Sequence, residues 1–68
     1  MSGIIDRNFR YHAPKGNQAA RYEELRAKAK EFAQLVADEC PECRERQLAL
    51  ENIEMACMWA NAGIARNE

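Results

Sequence analysis

Two helix-forming stretches meet at Cys40-Pro41, and this junction constrains the chain more than any other feature. A proline forces the residue before it out of the helical region, so no helix runs through position 40. On the N-terminal side, Tyr22, Leu25, Ala29, Phe32 and Val36 recur at steps of three and four, the stripe of an amphipathic helix. Asn17 is placed to cap its start, after the breakers Ala13-Pro14-Lys15-Gly16. On the other side Pro41 suits the first helical position, with Glu42 and Glu45 in the first turn, and the pattern continues to about Ala65. So short a connection forces the two helices antiparallel. The expected fold class is all-α: an N-terminal arm, residues 1–16, and a helical hairpin, residues 17–68, in a single domain.

The second helix carries more apolar surface than one partner can cover. Projected at about 100° per residue, Leu48, Leu50, Ile53, Met55, Ala56, Cys57, Trp59, Ala60, Gly63 and Ile64 spread over roughly two-thirds of its circumference. A chain of 68 residues is also marginal on its own without a staple, a metal or partner chains. Both facts predict contact with further copies, hence a homo-oligomer. Ala49, Ala56, Ala60 and Gly63 form a small-residue seam, which suits close helix packing.

Composition narrows the chemistry. Apolar residues make up 47% and charged residues 31%, the balance of a foldable helical chain. The longest uncharged run, Met55 to Ala65, is too short to span a bilayer, and the N-terminus has no signal-peptide core. The protein is therefore expected in the cytoplasm. A net charge of -1 argues against binding long nucleic acid through a broad basic face. The first part of the chain nevertheless carries Arg7, Arg10, Lys15 and Arg21 against Asp6 alone, which suits a small anion.

Catalysis is not expected. The one serine, Ser2, lies near a terminus, threonine is absent, and the single histidine, His12, has no orienting acid beside it. Glu51 and Glu54 lack a Glu-x-x-His companion and fit a solvated face. Cys40-x-x-Cys43 with a distant Cys57 offers no second ligand pair for zinc, and no strand precedes it as redox pairs require, so neither metal nor cofactor is expected.

Binding is a stronger theme. Residues 9 to 15, FRYHAPK, place the flat ring of Tyr11 among the donors Arg10, His12 and Lys15, with a helix N-terminus following at Asn17. Arg26 and Lys30 extend the cations along the first helix at four-residue steps from Tyr22. A packed arm with a solvated fringe and a small-nucleotide site both fit this composition. Arg66 continues the row Leu48, Asn52, Met55, Trp59 and Ala62, where it either satisfies the last helical carbonyls or meets an anion between symmetry-related copies.

The joint occurrence of an early YHAP, the Cys-Pro junction, QLAL and MWANAGIARN resembles the hairpin domain of phage anti-CBASS sponges, shared with phage anti-Thoeris sponges. The likeness covers nearly the whole chain. It implies a non-enzymatic protein of the host cell cytoplasm that sequesters cyclic oligonucleotide messengers, such as cyclic GMP-AMP, and so blocks CBASS-type immunity. It further implies a homohexamer with cyclic dinucleotide pockets between protomers and cyclic trinucleotide pockets near a threefold axis. By position, Tyr11 would stack on a dinucleotide base, and Arg26 would pair with its phosphates where the family tends to place lysine. The change keeps the charge but alters the hydrogen-bond geometry. The dinucleotide set is then Tyr11, His12, Arg26 and Lys28, and the trinucleotide set Arg66 and Asn67. The alternative to a sponge is a small helical adaptor that binds a protein through its wide apolar face.

Overall fold

The structure, a computed structural model, describes residues 5, 9–11 and 13–68. Two helices dominate it: α1, Gln18–Glu39, and α2, Arg44–Asn67. They pack antiparallel as a hairpin. Half of the expected arm, residues 1–4, 6–8 and 12, lies outside the described residues.

The entry to α1 is built by its first residue more than by its cap. Asn17 occupies the cap position without a side-chain hydrogen bond. Instead Gln18 Oε1 accepts from the Lys15 amide at 2.9 Å, while the Gln18 amide donates to Lys15 O at 2.9 Å. This closed loop requires Gly16 in the left-handed region, at φ 52°. Gln18, 5% exposed, is the one buried side chain among the described residues. Its amide can be taken out of water because its hydrogen bonds replace the lost solvation.

The break between the helices falls where the proline predicts, but the second helix starts later. Cys40 is extended, as a residue before proline must be, and its amide still donates to Val36 O. Pro41 and Glu42 then lie in the connection, not in the first turn of α2. The start is set by Cys43, which is extended and whose Sγ accepts from the Arg46 amide at 3.4 Å. A thiol is a weak acceptor, yet it satisfies one amide that the helix itself cannot. Glu45 in the first turn and Arg66 in the last complement the helix dipole.

Packing departs from the simple stripe on α1. Leu25, Ala29, Ala33, Val36 and Ala37 are half-buried, whereas Phe32 is 56% exposed. Small residues at 29, 33 and 37 admit α2 along a four-residue row, which leaves the larger ring on its flank. No hydrophobic residue among those described is fully buried. The principal extents, 44 × 29 × 12 Å, are those of a single helical layer. The radius of gyration, 15.0 Å, exceeds the roughly 11 Å of a compact chain of this length. Among the described residues the hairpin therefore has a seam between its helices but no buried core.

Candidate functional site

Each face of this layer carries a groove, and its end carries a cleft. The first groove, about 630 Å³, runs along Leu25, Lys28 and Phe32 on α1 and Ala49, Asn52, Ala56 and Ala60 on α2. The second, about 560 Å³, lies on the opposite face between Arg26, Lys30 and Ala33 and Leu50, Glu54, Met58 and Asn61. Ala29, Ile53 and Cys57 line both, because they form the seam between the helices. The small residues Ala49, Ala56 and Ala60 thus floor an open groove instead of joining α1 to α2. Gly63 likewise faces open space.

The end cleft, about 430 Å³, is the chemically mixed one. Arg10, Tyr11, Ala13, Pro14 and Lys15 line it from the segment before α1, and Ala65, Arg66 and Glu68 line it from the end of α2. Tyr11 is 83% exposed, so its ring is open for stacking. Arg10, Lys15 and Arg66 make no ion pair among the described residues. Glu68 does: its two carboxylate oxygens accept from both terminal nitrogens of Arg21, at 2.7 and 3.0 Å. The hydrogen bond from Arg21 draws the Glu68 carboxyl below its usual range, and the same bond raises the already basic Arg21.

The residues predicted from sequence are therefore distributed over three surfaces. Tyr11, from the dinucleotide set, shares the end cleft with Arg66, from the trinucleotide set. Arg26 lines one groove and Lys28 the other. Two residues apart on a helix, they stand about 200° from each other and cannot meet one ligand from a single chain. Lys28 also lies 3.3 Å from Glu31 in an exposed ion pair. Asn67 turns back on its own helix, its Nδ2 donating to Gly63 O at 3.0 Å. Asn52 does the same to Leu48 O at 2.7 Å, which accounts for a polar residue on an apolar arc. His12 lies outside the described residues.

Two features went unread in the sequence. The pairing of Arg21 with Glu68 joins residues 47 positions apart, and no local pattern signals it. Asn61 sits one turn after Cys57, and its Nδ2 makes a 3.9 Å contact with that sulfur. Its Oδ1 is buried with no hydrogen-bond partner among the described residues, beside Arg26 in the second groove. A buried acceptor without a donor is costly. The Tyr22 hydroxyl is in the same condition.

A two-helix layer with open apolar grooves and a cationic, aromatic cleft at its end defines the chain as a helical hairpin. The family model described as Acb2/Tad1, hairpin domain, matches residues 1–65. The chain belongs to that family, the phage anti-CBASS and anti-Thoeris sponges, whose general business is binding cyclic oligonucleotide signals. No match was found among curated proteins or among solved structures.

Proposed function

We propose that this protein sequesters cyclic oligonucleotide second messengers, cyclic dinucleotides and cyclic trinucleotides, in the host cytoplasm without cleaving them. The observation that carries this reading is the convergence of an open tyrosine ring with Arg10, Lys15 and Arg66 on one cleft. A base stacks on the ring while the cations meet phosphate, the pairing that single-stranded nucleotide ligands require. Arg26, on a groove with an unsatisfied Asn61 acceptor, and Lys28, on the opposite face, then serve ligand only where a second chain closes the pocket. That requirement fits a homo-oligomer, a hexamer in our proposal, assembled through the two grooves.

Calorimetry with a panel of cyclic dinucleotides and trinucleotides tests the reading. Binding to at least one ligand is expected, and no heat or thermal shift across the panel rejects it. Denaturing the complex should release intact nucleotide, because nothing in the proposal hydrolyses it; linear products would make the protein a phosphodiesterase. Light scattering should give a closed oligomer. A clean monomer that binds no nucleotide would favour the adaptor, since the same apolar grooves would then await another protein.

A further inference from the structure

We infer that Glu68 is an internal counter-anion of the end cleft, and that a ligand phosphate entering the cleft takes its place on Arg21. This inference rests on the proposed binding of cyclic oligonucleotides and assigns one more cation, Arg21, to that site. Its basis is the geometry of the pair. Both terminal nitrogens of Arg21 donate to both oxygens of Glu68, at 2.7 and 3.0 Å, and this planar fork is also the arrangement a guanidinium offers to phosphate. A carboxylate held in that fork occupies a ready-made phosphate position.

Among the described residues, Glu68 is also the one acid lining the cleft, against Arg10, Lys15 and Arg66. Its carboxylate is held ionised by Arg21 and further by the Gln18 amide, so the counter-anion is present at neutral pH. The side chains of the pair are 37% and 45% exposed, and exposed ion pairs are held weakly because water screens them. Exchange of one anion for another on Arg21 is therefore easy.

The exchange selects among ligands. A ligand with one phosphate replaces one anion with another and gains little. A cyclic oligonucleotide can place one phosphate on Arg21 and a second on Arg66, Arg10 or Lys15, which Glu68 alone cannot satisfy. Glu68 thus disfavours singly charged nucleotides and leaves multiply charged ones able to bind.

The test measures affinity of Glu68→Gln for the cyclic oligonucleotide bound by the unaltered protein, at low and high salt. Binding should tighten by about fivefold at low salt, the scale of one charge contact screened by water. The gain should shrink as salt rises. Glu68→Asp, which keeps the charge, should bind like the parent, and adding Arg21→Gln to Glu68→Gln should erase the gain. Unchanged or weaker binding by Glu68→Gln overturns the inference, because Glu68 would then stand aside from the ligand or brace the cleft for it. If the unaltered protein binds no cyclic oligonucleotide, the proposed function fails separately. Inorganic pyrophosphate, titrated while the arginine side-chain resonances are followed, then decides: tighter binding by Glu68→Gln supports the counter-anion, and equal or absent binding overturns it.

Discussion

At the scale of single residues, Tyr11 and Gly16 show how an exposed position can matter as much as a buried one. Tyr11 contributes little burial, so Tyr11→Ala should leave the melting temperature nearly unchanged while weakening nucleotide binding by about 1 to 3 kcal/mol, measured by calorimetry. Tyr11→Phe keeps the ring and should bind like the parent. Gly16 has the opposite balance. No atom lies within 4 Å of where its Cβ would stand, yet its φ of 52° strains any ordinary side chain. Gly16→Ala should therefore destabilise the loop closed on Gln18 by about 1 kcal/mol, read by chemical denaturation. Glu68 adds a pH dependence whose sign follows from its lowered pKa. Its contribution is present above the ordinary carboxylate range and is lost as pH falls through the lower folded value. Glu68 carboxyl resonances followed by NMR should titrate below the usual range, and Arg21→Gln should raise them toward it.

At the scale of the elements, the helix starts depend on unusual groups. Because Asn17 makes no side-chain cap, Asn17→Ala should change stability by a few tenths of a kcal/mol at most, whereas Gln18→Ala removes the acceptor of the Lys15 amide and should cost about 1 kcal/mol. Thermal melts of the two variants separate these roles. The hairpin itself was legible in the sequence, since the stripe from Tyr22 to Val36 and the Cys40-Pro41 break define two helices and their turn. The later start of α2 was less so, because cysteine is a weak cap and Pro41 suits a helix as well as a connection. Phe32 shows a further limit: periodicity identifies the apolar arc of a helix, but the small residues at 29, 33 and 37 decide which edge of that arc meets the neighbour. The candidate site divides in the same way. Tyr11 and Arg66 were each visible as residues suited to a ligand, but their common cleft depends on where the hairpin turns the end of α2. The Arg21–Glu68 pair has no local signature at all.

At the scale of the whole molecule, the chain's problem is surface. It exposes 5577 Å², against roughly 4,400 Å² for a compact monomer of 7.8 kDa. Trp59 and Phe32 are each 56% exposed, and two apolar grooves lie open on opposite faces. Folding such a hairpin alone orders the backbone while leaving much of the hydrophobic gain unrealised. If other copies supply that burial, folding and assembly are linked, and the melting temperature must rise with protein concentration. Ala56 distinguishes this from the behaviour of a self-sufficient monomer. It is exposed on the hairpin and floors the larger groove, so Ala56→Arg on a monomer would be an ordinary surface change, within about 0.5 kcal/mol. In an assembly the arginine enters an apolar contact, where its charge loses water without gaining an acceptor. Ala56→Arg should then lower the oligomer mass in light scattering and reduce helicity at low concentration, although no contact inside the hairpin has been altered. An unchanged mass and melting curve would assign the groove to something other than a second copy.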